Sequence, residues 1–352
     1  MAILKDYNGN PIEIPTHTHV VTDTKANGST ALASTVRDGF MSKEYKTILD
    51  NLKTKADQMN EKLKTGLYIK YYSSTLITQN TFRANLSNKG PNATTVVFTS
   101  TPIPSDKLST GTVVSTTDSE VKTYMYLDGT TIYIAPEKEN TIIYANPDSS
   151  NFFLAISSKI TTIDFENFNT SKVTTMANMF TNSSSITQLL HLDNFDTSKV
   201  TNMSSMFSRL EKVTTLNLIS FNTINVTTMR AMFNSCKLLT SIIFSTKFNT
   251  SNVTDMGYMF SYCAALTTID LSFINTSNIT DATYMFFYAT NIITTLTISA
   301  TKSVSMTSMF GGAATGSSAK VTVNYIIESK TIANNMVGTK SSTSNITLGS
   351  QV

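Results

Sequence analysis

The sequence predicts a mainly β protein with short helices, most of it built from a small unit that repeats and stacks. Three observations predict this fold class. A motif recurs every 24 to 27 residues from about Phe152 onward. Segments rich in β-branched and aromatic residues precede it. The chain has 352 residues, more than a single hydrophobic core usually supports. The predicted regions are residues 1–66, 67–150, 151–310 and 311–352.

The composition excludes several classes of function. The formal net charge is +3 and 14% of the residues are charged, which is too little to attract a nucleic acid or an anionic membrane surface. No apolar run approaches the ~20 residues that span a bilayer, so membrane insertion is not expected. The first residues lack the apolar block of a secretory signal. We therefore expect a folded chain that does not leave a cell by conventional secretion.

Residues 1–66 differ from the rest of the chain in charge and in pattern. Residues 1–65 hold 17 of the 51 charged side chains. Apolar residues then recur at alternating spacings of 4 and 3, which predicts an amphipathic helix with a heptad seam. The seam is short for a coiled coil, so a single helix packed on its own chain is an alternative. The seam residues are Tyr45, Leu49, Leu52, Ala56, Met59 and Leu63.

Residues 67–150 predict a small β-rich region. Its strand-like segments are separated by turn signals such as Asp128-Gly129. Such a region either spaces the repeats from the first region or caps them. The predicted strands lie at residues 67–72, 94–99, 112–116, 123–127 and 131–135.

The repeat in residues 151–310 is the strongest pattern in the chain. Each anchor reads V-T-x-M-x-x-M-F. It is preceded by a strand motif, L-x-x-L-x-L, and then by a turn, F-N/D-T-S. Thr and Ser of the turn are expected to cap a short helix at the anchor. Because one unit cannot bury its own apolar face, the copies must stack, with Phe and Met in internal columns. The anchor phenylalanines are Phe180, Phe207, Phe233, Phe260, Phe286 and Phe310, with Phe153 as a degenerate first copy.

The strand motifs predict a candidate binding surface. Alternate strand residues point outward, and stacking aligns them into two ladders. The second ladder varies more than the inward positions do, which favours recognition of a partner, although ordinary solvated strand faces are the alternative. The first ladder is Thr162, Leu189, Thr215, Ser241, Thr268 and Thr295, and the second is Asp164, His191, Asn217, Ile243, Asp270 and Thr297.

Few residues are candidates for catalysis or metal binding. His17 and His19 share one side of an extended segment and are weak metal candidates, with a plain polar connector as the alternative. His191 is expected to be a surface contact. Cys236 and Cys263 occupy equivalent sites in adjacent units, where buried free thiols are favoured over a disulfide. Because no catalytic or phosphate-binding motif is visible, we expect neither enzymatic activity nor a cofactor.

The repeat resembles a known family. The combined turn and anchor, F-[ND]-T-S-x-V-T-x-M-x-x-M-F, is similar to the BspA-type leucine-rich repeat of bacterial surface proteins and mycoplasma-type lipoproteins. The resemblance covers roughly residues 150–310 and implies a leucine-rich-repeat-like solenoid. Residues 126–150 resemble the segment that leads into such arrays, which favours a capping role for part of 67–150. Residues 311–352 would close the far end, with 321–327 as the last strand.

The N-terminal residues resemble a different family. His17-Thr-His19, followed by G-F-M-S-K-E-Y-K-T-I-L-D at residues 39–50, is similar to a stretch of phage tail-fibre and baseplate proteins. The resemblance implies attachment to a tail or baseplate protein and a homotrimer whose three-stranded coiled-coil stem is the seam. It also implies a place at the tail tip of a virion or phage-tail-like particle, assembled in the host cytoplasm and released by lysis.

Together the two resemblances imply a tail-fibre-like receptor-binding protein. Its repeats would recognise a bacterial cell-surface protein or glycan without catalysis. The alternatives are a surface adhesin or structural repeat protein of the bacterium itself, and a cell-wall glycan depolymerase.

Overall fold

The computed structural model describes residues 71–271 and 274–352. The chain divides into two units, Met1–Tyr68 and Ile69–Val352, and all the described residues belong to the second. That part of the chain is mainly β with few short helices, which confirms the predicted class. The predicted seam at residues 45–63, together with His17 and His19, lies outside the described residues.

Among the described residues the chain forms two α-helices, and most of the other regular elements are short strands. Short 3₁₀ turns lie at Ser105–Lys107, Leu192–Asn194 and Ile327–Ser329. The strands and helices are β1 (Tyr72–Thr75), α1 (Gln79–Lys89), β2 (Thr95–Phe98), β3 (Thr112–Val113), β4 (Thr123–Asp128), β5 (Thr131–Pro136), β6 (Thr141–Tyr144), β7 (Thr162–Asp164), β8 (Gln188–Leu190), β9 (Thr215–Leu218), β10 (Ser241–Phe244), β11 (Ile293–Ile298), β12 (Lys320–Tyr325), α2 (Lys330–Gly338) and β13 (Ile346–Gln351).

The β-rich region before the repeats matches the prediction in four strands, β2 to β5. The predicted strand at 67–72 overlaps the described residues only at its end, where β1 begins. Helix α1 was not predicted. It buries only Phe82 and Leu86 among polar neighbours, so its sequence carries too few apolar residues to show a helical period.

The β-rich region caps the repeats through a shared sheet. Strand β2 pairs in parallel with β5 on one side and with β7, the first repeat strand, on the other. Strand β4 pairs in antiparallel fashion with β5 and with β3, which is the edge strand on this side of the sheet. The first repeat therefore continues a sheet that the preceding region has already built, as a cap requires.

The repeat strands belong to three separate sheets, and those that pair do so in parallel at the period of the sequence repeat. Strand β9 pairs with β10, and β11 pairs with β12. The predicted last strand, 321–327, is β12, but it is not the last. Strand β13 pairs with β12 beyond it, after α2. The prediction was wrong because α2 replaces the turn motif here, and β13 lacks the L-x-x-L-x-L pattern.

The short helix predicted at each anchor is not formed. Residues 177–182 form successive tight turns, in which Asn178 and Asn182 have φ values of +56° and +61°. The backbone N–H groups of Met176, Asn178 and Phe180 donate hydrogen bonds to carbonyls of the next repeat at 3.0, 2.8 and 2.9 Å. In a helix these groups would bond within the segment instead. The turns therefore tie adjacent repeats together.

The anchor phenylalanines form the predicted internal column. Seven rings, from Phe153 to Phe310, stack face to face with centroids 5.4–5.8 Å apart and planes 2–11° from parallel. All seven side chains are fully buried. Phe153 belongs to the column, so the degenerate first copy is part of the stack. The core is thus continuous along the array.

Threonines of the turn motif connect the repeats instead of capping helices. The Thr223 hydroxyl donates to the Asn249 carbonyl at 2.7 Å and accepts from the Asn249 amide at 2.7 Å. Thr197 makes the same pair of bonds to Asn222 at 2.9 and 2.8 Å. Because these hydroxyls are buried, their hydrogen bonds hold successive turns in one register. The buried row is Thr170, Thr197, Thr223, Thr250 and Thr276.

Candidate functional site

The predicted binding surface is the outward face of the repeat strands, called here the strand face. In the central repeats, Thr215 pairs with Ser241 and Asn217 pairs with Ile243, as the two ladders require. Asn217 is exposed, and Ile243 is 53% exposed. An isoleucine next to an asparagine gives this face both apolar and hydrogen-bonding contacts.

Strand β8 does not follow the predicted ladders. Thr162 pairs with Gln188, and Asp164 pairs with Leu190. Leu189 is therefore one residue out of place, and it packs against the core instead of facing outward. The prediction was wrong because the second repeat carries an inserted residue, and a shift of one residue exchanges the two faces of a strand.

The ladders also fail between the fifth and sixth repeats. Thr268 forms a bridge with Ile293, so Thr295 does not lie level with Thr268. Thr268, Asp270 and Thr295 are exposed, and Thr297 is half-buried. These residues lie on the strand face, but not as the two straight ladders that the motif spacing predicted.

His191 and Asp164 meet at the surface of neighbouring repeats. His191 has a φ of +59°, which turns the chain at the end of β8. Its Nδ1 atom lies 2.6 Å from Asp164 Oδ1, and its side chain is 49% exposed. As expected, His191 is a surface residue. The hydrogen bond fixes the orientation of both side chains.

Apolar side chains other than Ile243 are exposed at or beside the strands. They come from different repeats and stand among threonines and asparagines. They were not predicted, because strand bounds and register decide which residues face outward. These exposed residues are Leu190, Ile219 and Ile293, at 40%, 57% and 36%.

A charged cluster lies on the turns of the later repeats. Arg230 Nη1 is 3.0 Å from Asp281 Oδ2 and 3.3 Å from Asp255 Oδ1. Burial alone would raise the pKa of Asp281, but hydrogen bonds from Thr283 and the charge of Arg230 outweigh it and lower that pKa. The guanidinium thus holds two carboxylates of successive repeats together.

Five aromatic residues beside this cluster form what we call the tyrosine patch: Tyr258, Tyr262, Tyr284, Phe287 and Tyr288. Tyr258 stacks on Tyr284 at 4.9 Å, and Tyr262 stacks on Tyr288 at 5.4 Å. Phe287 meets its neighbours edge to face. This patch was not predicted, although Y-M-F-S-Y and Y-M-F-F-Y in successive anchors were a signal for it.

The two cysteines are buried free thiols, as expected. The Cys236 thiol donates to the Phe207 carbonyl at 3.1 Å, and the Cys263 thiol donates to the Phe233 carbonyl at 3.0 Å. Burial raises the pKa of Cys236 well above its ordinary value and that of Cys263 to about 12. Both thiols therefore stay protonated at neutral pH.

We expect both thiols to be inert to a disulfide reagent at pH 8 in the folded protein, because the thiolate is the reactive form. Two thiols per chain should react after unfolding in guanidinium. Because folding raises both pKa values, the stability contributed by the protonated thiols is complete below pH 9 and is lost as the pH rises from there towards 12. The matched control for the labelling is Cys236→Ser. A serine hydroxyl suits this position, since Ser183 makes the equivalent hydrogen bond to the Phe153 carbonyl. Rapid labelling of the native protein would contradict the expectation.

Within residues 71–271 and 274–352, no group of three or more His, Cys, Asp or Glu side chains is arranged to hold a metal ion. Over the same ranges, no helix is long and apolar enough to span a membrane.

Comparison with known proteins places the repeats in a family. Residues 148–243 and 212–323 match a family model described as "Mycoplasma protein of unknown function, DUF285", and the two matches together span half of the 352 residues. The chain belongs to the DUF285 family. The DUF285 region contains β7 to β11, the charged cluster and the tyrosine patch. No match was found among curated proteins or among solved structures.

Proposed function

We propose that this DUF285 protein is a receptor-binding protein whose leucine-rich-repeat-like array of the BspA type recognises a bacterial cell-surface protein or glycan without catalysis. The contrast between interior and surface supports this. Val, Met and Phe recur at the buried anchor positions, whereas outward positions change in character from Asn217 to Ile243 within one strand pair. Ile243, which is 53% exposed, gives that face apolar area that a partner can bury.

The array is also suited to binding because it is held in one arrangement. Backbone hydrogen bonds between turns, the threonine row and the phenylalanine column all link each repeat to the next. A surface ordered in advance loses little conformational entropy when a partner binds. The outward side chains therefore need little rearrangement to make their contacts.

We further propose that residues 1–66 attach the protein to a phage tail or a phage-tail-like particle as a homotrimer. The similarity of residues 17–50 to tail-fibre segments supports this. Three arrays on one particle would raise a weak affinity of each site through multivalency. The proposed location is the tail tip.

The second candidate is an adhesin or structural repeat protein on the surface of the organism itself. The DUF285 match favours it, since the family is described for Mycoplasma proteins. Sedimentation of the native protein separates the two candidates. A tail-fibre protein sediments with tail particles after lysis, whereas a surface protein of the organism stays with its envelope.

Binding of the labelled full chain to a panel of intact bacterial cells tests recognition. We expect saturable binding to at least one strain and a loss of at least ten-fold in affinity for Ile243→Asp, because the added charge must be desolvated at an apolar contact. The matched control is Ile327→Asp, at an isoleucine that is 61% exposed in a 3₁₀ turn near the C-terminal cap. Equal binding by wild type and Ile243→Asp would exclude the strand face, and no binding to any strain would contradict the proposed function.

A further inference from the structure

We propose that the tyrosine patch binds sugar rings of a bacterial surface glycan. This inference rests on the proposed function and adds the chemical class of the ligand and a location for its contacts. The patch lies on the turns of the fifth and sixth repeats, apart from the predicted strand ladders. Its rings are held in place by their neighbours, carry polar hydroxyls and expose a small area.

The backbone under the patch is unfavourable for the residues that stand there. Tyr258, Tyr262, Tyr284 and Tyr288 have φ values of +61°, +58°, +55° and +54°. Bulky residues rarely adopt this left-handed conformation, which Gly and Asn accept readily. Asn182 and Gly312 occupy the position of Tyr262 and Tyr288 in other repeats. Ala155, Arg209 and Ser235 adopt the same conformation at the position of Tyr262 and Tyr288, so it belongs to the repeat turn, and the choice of tyrosine there is not explained by the backbone.

The arrangement around the rings holds them in place without a ligand. The Arg230 guanidinium lies over the Tyr258 ring, 4.9 Å from the ring centroid. A β-carbon at residue 257 would lie 2.6 Å from Arg230 Nη1, so Gly257 leaves room for the guanidinium. A β-carbon at Gly312 would lie 3.1 Å from the Tyr288 ring, so that glycine lets the ring lie close to the backbone. A ligand thus meets a platform whose side chains are already ordered.

The surface chemistry of the patch suits a carbohydrate. Among the described residues, none of the four tyrosine hydroxyls has a hydrogen-bond partner, so all are free to bond to sugar hydroxyls. The carboxylates of Asp255 and Asp281 add acceptors close by. The C–H faces of a sugar ring are apolar, and tyrosine offers an apolar ring with a polar tip. One arginine and two aspartates leave little net charge, which fits a neutral or weakly charged glycan.

The exposed area argues against a protein as the occupant. Tyr262 and Tyr288 are 44% and 47% exposed. At that exposure the two rings together present about 200 Å². A stable protein interface buries about 800 Å² on each partner. The two exposed rings offer about a quarter of that area, which favours a small occupant such as a sugar unit over a protein.

Cell binding by the double variant Tyr262→Asn/Tyr288→Asn tests the inference. Asn is native to this position, at Asn182, so we expect the urea midpoint of unfolding to stay equal or rise. Affinity for the bacterial strain that the wild type binds best should fall at least ten-fold. The control is Arg209→Asn, which introduces the same residue at the same turn position, φ +59°, outside the patch. Tyr288→Phe, which keeps the ring, should retain most of the affinity.

The nature of the ligand is tested on the same strain. Periodate, which destroys sugar diols, should abolish binding of the full chain, whereas protease treatment of the cells should not. Polysaccharide extracted from that strain should compete with the cells for the wild type. Binding abolished by protease and not by periodate would overturn the glycan and leave the proposed function standing. Normal binding by the double variant would contradict only the role of the tyrosine patch. Absence of wild-type binding to every strain would contradict the proposed function as well.

Discussion

Replacing Phe233 with alanine is expected to lower the free energy of unfolding by about 3–5 kcal/mol, the usual cost of removing a buried phenylalanine. Its ring lies between Phe207 and Phe260, at 5.8 and 5.5 Å, in the middle of the column. The substitution leaves a cavity and separates the two halves of the stack. Urea unfolding followed by circular dichroism measures the loss.

The conservative change Phe233→Leu is the matched control, because it fills most of the cavity and should cost less than half as much. In a stacked array each repeat contacts only its neighbours, so a break in the middle weakens the coupling between the two ends. We therefore expect a broader transition for Phe233→Ala than for the wild type. A loss below about 1 kcal/mol would show that the column contributes little to stability.

Light scattering on the full chain should give a mass about three times the 38.5 kDa of one chain. This follows from the proposed three-stranded stem, in which the seam residues of three chains bury one another. Replacing Leu49 and Leu52 with aspartate would bury charge in that seam and should reduce the particle to a monomer, a threefold change in mass.

The control for the seam is Lys53→Asp, which changes charge at a position off the seam and should leave the trimer intact. A monomeric wild type would exclude the stem. It would leave recognition by the array untouched, because the repeats stack within one chain.

The repeat and its interior could be predicted from the sequence. Residues that recur at a fixed period occupy equivalent places in a stack, so Val, Met and Phe had to form columns. The buried thiols of Cys236 and Cys263 followed from the same argument, since both lie three residues after an anchor phenylalanine.

The local conformation of the anchors could not be predicted in the same way. Apolar residues at i, i+3 and i+7 suit an α-helix, but two tight turns in succession place the same residues inward. The distinguishing feature is a left-handed backbone at residues such as Asn178, Arg209 and Tyr258, whose types share no sequence signal. Each turn has internal hydrogen bonds, such as Met179 N–H to the Met176 carbonyl at 3.2 Å, and the neighbouring repeat stabilises it further by accepting the N–H groups of the left-handed residues.

Which side chains lie on the strand face could, for the most part, not be predicted from the motif spacing. One inserted residue before Leu190 turned Leu189 inward, and Ile293 took the place expected for Thr295 opposite Thr268. The tyrosine patch was different. Its residues were visible as repeated Tyr pairs around Met-Phe, but their exposure depended on the turn conformation.

Recognition of a surface by the array without catalysis is tested by binding of the full chain to intact bacterial cells, with an assay for released sugar in the same sample. We expect saturable binding and no new reducing ends after prolonged incubation. Saturable binding with a steady rise in reducing ends would contradict this expectation and identify a glycan depolymerase.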